Sequence, residues 1–306
     1  MRAHDARMAT TAPKSPRLAH GTRIGISGWR YAPWRGVFYP EDLTQKRELE
    51  FASRRFDTIE INGSFYSLQR PDSWKRWYAD TPDGFVFAVK APRYITHLRR
   101  LRDIDAPLAN FFASGVLALG EKLGPILWQF PQHLRYEADR WKPFLEKLPR
   151  DTAAARAIAR RHDGRVRATS IPRGGNRALR HAVEIRSETF RDERFVALLR
   201  RHGVALVVAD TAGKWPLVED VTADFMYLRL HGDKALYASG YSPAALDAWA
   251  ARIDAWRHGR EPADARRISP KPPRRRARRD VYCYFDNDMK VRAPFDAEAL
   301  RTRLPT

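Results

Sequence analysis

The sequence predicts a single α/β domain, a closed (β/α)₈ barrel of the TIM type. Three observations carry that expectation. Eight apolar segments of strand length run along the chain, segments of helical spacing fall between them, and eight parallel strands are the number that closes such a barrel. The 306 residues suit one such barrel, which typically needs about 250. An open, doubly wound sheet is the rival. Its usual G-x-G-x-x-G turn after the first strand is absent, because the chain there reads Gly25-Ile26-Ser27-Gly28-Trp29-Arg30.

The eight expected strands are Ile24–Trp29, Thr58–Asn62, Phe85–Lys90, Pro125–Phe130, Ala182–Arg186, Val204–Asp210, Phe225–His231 and Val281–Asn287. Helical spacing is clear between several of them. Leu49, Ala52 and Phe56 mark a first helix, with Thr44 as its expected cap. Trp141, Phe144, Leu145 and Leu148 form a one-sided apolar stripe, and so do Leu246, Trp249, Ala250 and Ile253. The last of these opens with Ser242-Pro243, a cap followed by proline at the first helical position. Phe195, Leu198 and Leu199 mark another helix.

Three segments fall outside this pattern. Residues 1–22 form a basic tail expected to be disordered, and residues 23–306 form the barrel. Two stretches inside the barrel, 150–180 and 259–279, look inserted. The second holds Lys271-Pro272-Pro273-Arg274-Arg275-Arg276-Ala277-Arg278-Arg279 just before the last strand. Its prolines and like charges are expected to keep it extended and solvated. The net charge of +20 admits nucleic acid or another polyanion as a partner. The single cysteine, Cys283, excludes an internal disulfide or a cysteine zinc cluster, and its apolar strand marks it as a core residue. No apolar run approaches the ~18–20 residues of a membrane helix. With no apolar stretch near the N-terminus either, the expected location is cytoplasmic, with no membrane partner.

Side chains alternate between the two faces of a strand. In Phe225–His231 the apolar residues Met226, Leu228 and Leu230 oppose Tyr227, Arg229 and His231. The apolar set must meet the helices, so the polar set turns into the barrel near its C-terminal end. The same reading places Glu60 and Asn62, Lys90, Gln129, Glu184 and Arg186, and Asp210 at that end. A barrel interior is normally filled by branched aliphatics, and burying an unpaired charge there is costly. Such a collection of charges therefore marks either a closed salt-bridge network or a ligand site, and the ligand site is the preferred reading. Aromatic residues rim the opening: Trp29, Tyr31 and Trp34 after the first strand, Phe65 and Tyr66 after the second. Trp29 and Tyr66 are the ligand candidates among them, whereas Trp34 and Phe38 suit loop packing.

These segments resemble a known family, the domain of unknown function 72, also called YecE-like. The resemblance runs from about Ile24 to Leu304. It includes Gly25 to Pro40, read GISGWRYAPWRGVFYP, and Ile59 to Tyr66, read IEINGSFY with Ser64 where the family has Thr. Phe85 to Lys90, Ile95-Thr96-His97 and Trp128 to Pro131 follow in order. So do Val183 to Arg186, Tyr227 to Gly232 and Tyr284 to Asn287, with Asp286 where many members carry Asn. The resemblance implies a (β/α)₈ barrel and supplies no activity. Through its matched blocks it also draws His97 and Asn287 into the candidate site.

The expected function is a metal-independent hydrolase or lyase with no cofactor. Its substrate would be an anionic, phosphate-bearing small molecule or a nucleic acid, bound at the C-terminal mouth. Glu60 and Glu184 would divide the acid and base roles, with His231 moving protons. Lys90, Arg186 and Arg229 would hold the anion. Trp29, Asn62, Tyr66, His97, Gln129, Asp210 and Asn287 would complete the binding site. A divalent ion on Glu184, Asp210, His231 and Asp286 is the weighed rival, opposed by the arginines beside it. The alternative function is nucleic-acid binding without catalysis. Walker, H-E-x-x-H, G-x-S-x-G and C-x-x-C patterns are absent, which removes most support for nucleotide triphosphatase, zincin and serine-hydrolase readings.

Overall fold

Eight parallel strands close on themselves in sequence order in the computed structural model, which describes residues 21–305. They are β1 (Thr22–Ser27), β2 (Thr58–Ile61), β3 (Val86–Lys90), β4 (Leu123–Gln129), β5 (His181–Glu184), β6 (Ala205–Asp210), β7 (Phe225–Leu230) and β8 (Asp280–Phe285). The sheet starts at Thr22, the last residue of the expected tail. Residues 1–20 of that tail lie outside the described residues.

Nine α-helices follow among the described residues: α1 (Glu48–Arg55), α2 (Gly63–Tyr66), α3 (Pro71–Ala79), α4 (Asp105–Ala113), α5 (Ala138–Lys147), α6 (Thr152–Ala159), α7 (Glu193–His202), α8 (Pro243–Arg257) and α9 (Arg292–Arg301). Local chemistry sets several boundaries. The Ser242 hydroxyl accepts from the Ala245 N–H and starts α8. Asp192 caps α7 in the same way, and Gly203, at φ +59°, ends it. In α5 the buried residues are Trp141, Phe144 and Leu145, the stripe read from the sequence. Thr44 precedes a short 3₁₀ turn, Gln45–Arg47, and its side chain makes no capping bond.

Strand alternation divides the core in two. Ile59, Ile61, Val183, Met226, Leu228 and Leu230 belong to the larger cluster, packed between strands and helices. A smaller cluster fills the barrel interior, with Ala88, Ala182 and Ala205 beside Phe225, Tyr227 and Tyr284. Small residues on some strands leave the volume that the rings from β7 and β8 occupy. Gly25, paired with Tyr284 in the sheet, extends this rule. A Cβ there would run into the Thr58 carbonyl oxygen.

The same alternation corrects two site expectations. In β6, Ala205, Val207 and Ala209 face the interior, so Asp210 has the parity of Leu206 and Val208 and turns outward. There it accepts a hydrogen bond from the Tyr241 hydroxyl at 3.0 Å. After β8, Tyr282 and Tyr284 face inward, so Asp286 keeps the inward parity and Asn287 does not. Asn287 is fully buried and donates to Asp296 at 2.7 Å and to the Ser239 carbonyl at 2.9 Å.

Both inserted stretches end at the N-terminal end of the barrel, where they lead into β5 and β8; the first also extends along α4, with Asp163 bonded to Asn110 and Arg165 reaching Tyr94 just after β3. The first contains α6 and then irregular chain. The second has no helix or strand before β8, but it is tied down rather than free. The Ile268 and Ser269 N–H groups donate to the Asp220 carboxylate at 2.6 and 3.0 Å, and the Arg266 N–H donates to Glu219 at 2.8 Å. No helix of the described residues is long and apolar enough to cross a membrane.

Gly25→Ala is expected to destabilise the barrel by about 1–3 kcal/mol or more, because the new methyl forces β1 and β2 apart. Urea denaturation of the two proteins checks this; unchanged stability would show that the strands accommodate it.

Candidate active site at the C-terminal end of the barrel

Arg229, near the C-terminal end of β7, is the centre of the polar interior. Its guanidinium is fully buried, as are Glu60 from β2 and Glu184 from β5. Arg229 donates from Nε and Nη2 to the two Glu60 oxygens at 3.1 and 2.8 Å, a bidentate pair. Nη1 donates to Glu184 at 2.8 Å, and Nη2 also donates to Asp286 at 2.8 Å. Glu60 accepts further from the Ser27 hydroxyl at 2.5 Å and the Tyr227 hydroxyl at 2.6 Å. Arg186 donates from Nε to the other Glu184 oxygen at 2.9 Å. Four strands, β1, β2, β5 and β7, and the chain just after β5 and β8 thus contribute to one cluster.

The electrostatics follow from this contact set. Burial pushes the Glu184 carboxyl up, but Arg229 and then Arg186 overcome it and hold the group well below the ordinary carboxylate range. Asp286 behaves alike: burial raises it, and Arg229 and His231 lower it further than burial lifts it. Burial and then Arg229 push His231 down. Its Nε2 lies 3.4 Å from Arg229 Nη1, and its Nδ1 lies 3.1 Å from Asp286. A neutral ring with its proton on Nδ1 leaves Nε2 free to accept from Arg229, while Nδ1 faces Asp286 without a hydrogen bond of regular geometry.

Above this cluster opens a cavity of about 830 Å³. Of the residues expected to meet a ligand, Trp29, Asn62, Tyr66, Lys90, His97, Gln129 and Arg186 line it. Glu60, Glu184, Arg229 and His231 do not reach its wall, because they lie beneath it, bonded to one another. Asp210 and Asn287 also lie off the wall, on the outward face. The rim residues Tyr31 and Phe65 line the cavity, while Trp34 and Phe38 pack on each other, as expected of them. Asp286 reaches the wall as well.

Sequence reasoning missed Arg93, Trp77, Tyr237, Asp288 and Met289, which also line the cavity. Arg93, Asp288 and Met289 lie just beyond strand ends, where no periodicity extends, so their proximity to Lys90 and Asp286 in the chain is the one available signal. Trp77 sits on α3 and Tyr237 in the loop between β7 and α8, and the sequence carries no signal for either.

The wall carries charge of both signs. Lys90, Arg93 and Arg186 supply positive charge. Lys90 and Arg93 have no ion pair with a carboxylate among the described residues, and Lys90 Nζ instead lies 4.4 Å from the centre of the Phe65 ring. Burial and then Arg229 lower the Lys90 ammonium to about 8, against a weaker upward pull from Glu60. His97 records the same positive field: burial, then Arg186, Lys90 and Arg93, lower it to about 4. Of the acidic residues on the wall, Asp288 is raised to about 6 by burial and then by Asp286. The Gln129 Oε1 atom is buried in the wall without a partner.

The four residues weighed as a divalent-ion site are not gathered around a vacant centre. Glu184, His231 and Asp286 all contact Arg229, whose guanidinium occupies the position between the carboxylates. Asp210 is bonded elsewhere. Among the described residues no group of three or more His, Cys, Asp and Glu side chains has an arrangement for metal binding.

Comparison with known proteins agrees with this architecture. The family model described as "Protein of unknown function DUF72" matches residues 23–306. The protein YunF of Bacillus subtilis is 31% identical over 113 residues, covering 35% of this chain and 39% of that protein. YecE of Escherichia coli K12 is 29% identical over 188 residues, covering 55% of this chain and 64% of that protein. The chain therefore spans less than two thirds of the length of the curated relatives it matches. A crystal structure of a DUF72 family protein from Thermotoga maritima superimposes with a TM-score of 0.66 at 24% identity, covering 92% of this chain and 98% of that one. A second, from Enterococcus faecalis, gives 0.65 at 14% identity, with 92% and 95% covered. At these identities the solved structures show the fold alone.

Replacing Arg229 by Met should cost about 3–5 kcal/mol, because it leaves three carboxylates without their shared partner. The pH dependence should also reverse in sign. In the wild type, the lowered Glu184 and Asp286 contribute stability above the ordinary carboxylate range and lose it as pH falls. In Arg229→Met, the crowded carboxylates favour protonation, so stability rises as pH falls toward that range. Urea titrations at several pH values check both outcomes.

Proposed function

The chain belongs to the DUF72 family, whose description assigns no function, and from the cavity we propose a metal-independent hydrolase or lyase acting on a small anionic, phosphate-bearing substrate. One observation carries this reading. Lys90, Arg93 and Arg186 all line a cavity of about 830 Å³ and act together on His97, and the first two have no carboxylate ion pair among the described residues. Cations left unpaired at the end of a barrel are suited to an anionic ligand.

The division of roles differs from the one read in the sequence. Glu60 and Glu184 are spent on Arg229 and lie under the cavity floor. In this proposal they are positioning residues, which hold the strand ends in place. Arg186 is itself oriented by Glu184 and by the Trp215 ring, 3.8 Å below its guanidinium carbon. Asp288 takes over the acid–base role. It lines the cavity, and its value near 6 lets it exist in either protonation state close to neutral pH. Trp29, Tyr31 and Tyr66 offer faces for the uncharged body of the substrate. The unpartnered Gln129 oxygen is an acceptor for one of its hydroxyl groups.

The other reading, nucleic-acid binding without catalysis, needs the basic 259–279 segment and the aromatic rim to act together. They lie at opposite ends of the barrel. That separation favours an enclosed site for a small ligand over a shared strand-binding surface.

Sulfate, whose charge stays constant near neutral pH, is the probe for this site. Calorimetry should show its affinity falling as pH rises through about 6, where Asp288 ionises, and again through about 8, where Lys90 loses its proton. Arg93→Ala and Arg186→Ala should each weaken it roughly tenfold, the loss of one charge-assisted contact. Sulfate binding that neither substitution changes would remove the anion site from this cavity.

A further inference from the structure

Lys90 stands out among the buried cations. Arg229 is surrounded by acceptors and Arg186 is bonded to Glu184. The Lys90 amine has no hydrogen-bond acceptor among the described residues, although only 8% of the residue is exposed. It is held from both ends by one turn of α2. The Ser64 hydroxyl donates to the Lys90 carbonyl at 2.7 Å, and the Phe65 ring caps Nζ. The remaining side of the amine faces the cavity.

An amine in this setting has two uses. Protonated, it adds to the anion site. Free, it is a nucleophile, and desolvation next to other cations is the way proteins favour the free amine. Burial and the nearby Arg229 act in that direction, bringing Lys90 to about 8. A salt-bridged lysine would be held in the charged form, and no carboxylate approaches Nζ closely enough to do so here.

We propose that Lys90 is a carbonyl-capturing nucleophile, and that the substrate of the cavity is an anionic aldehyde or ketone. The assignment rests on the anion-binding reading above, because Arg93 and Arg186 hold the substrate's anionic group while its carbonyl carbon meets Nζ. The free amine adds to that carbon: a C–N bond forms and the carbonyl oxygen becomes a hydroxyl group. Loss of this hydroxyl as water, with both hydrogens of the water coming from the amine, leaves an imine. Uptake of one proton from solvent makes it the iminium ion. An iminium draws electrons from the adjacent carbon, which is the activation that a lyase needs to break a bond there.

Reductive trapping tests this on the full-length protein. Glycolaldehyde phosphate with sodium cyanoborohydride should add one probe to Lys90, located by peptide mass mapping. Labelling there should be at least roughly tenfold faster than at any other lysine. It should rise with pH around a midpoint near 8, and sulfate should slow it. Lys90→Arg keeps the positive charge and should lose the adduct while still binding sulfate. Labelling spread over the exposed lysines, with Lys90 no faster than they are, would overturn the proposal. Uncharged glycolaldehyde separates the two readings. If sulfate binds and neither aldehyde traps Lys90, carbonyl capture fails and the anion site stands. If sulfate does not bind and glycolaldehyde still traps Lys90 selectively, the anion reading fails and the nucleophile stands. If neither occurs, both fail.

Discussion

One guanidinium, that of Arg229, organises the upper interior of this barrel. It receives both oxygens of Glu60, one of Glu184 and one of Asp286, and so links β2, β5, β7 and the chain just after β8. Buried in the barrel interior, these charges are only weakly screened by solvent. Each must therefore find its partner within the cluster, and the geometry of one fixes the others. The consequence reaches outward. Glu184 orients Arg186, Asp286 raises Asp288, and Arg229 pushes Lys90 toward its free amine. The charges on the cavity wall are thus set largely by the cluster beneath it, of which Asp286 alone reaches the wall.

That layered arrangement separates two populations of charge that look alike in the sequence. The inner carboxylates are neutralised by design of the fold, whereas the outer cations face open space. Acidic and basic residues at successive strand ends can signal a salt-bridge network or a site, and here the network lies beneath the cavity proposed as the site. The division falls at the last residue or two of each strand: Glu60 is below the floor and Asn62 on the wall, Glu184 below and Arg186 on the wall.

The barrel itself was legible in the sequence because alternation is enforced wherever one face of a strand must be apolar. Met226, Leu228 and Leu230 could not have faced the interior without exposing Tyr227, Arg229 and His231 to the helices. Asp210 and Asn287 were misplaced for a related reason. Ala205, Val207 and Ala209 are as apolar as Leu206 and Val208, so β6 carries no polarity contrast to set its parity. Asn287 follows an aromatic strand whose two faces are equally buried. Arg93, Tyr237 and Asp288 were not legible, since they lie on loops whose course depends on tertiary contacts. The basic 259–279 segment follows its composition where the prolines and like charges lie: Lys271 to Arg278 form no helix or strand and are mostly exposed. What composition does not show is that Asp220 and Glu219 anchor the backbone just before that run, at Arg266, Ile268 and Ser269, at the end of the barrel remote from the cavity.

The central claim is that the inner carboxylates are committed to Arg229 and take no part in proton transfer. Carbon-13 NMR of the Glu184 and Asp286 carboxyl groups, followed during an acid titration of the folded protein, tests it most directly. Both should remain ionised well below the pH at which exposed Asp and Glu residues protonate. Titration of either group in the ordinary carboxylate range, or above it, would contradict the account and return these residues to the list of candidate acids and bases.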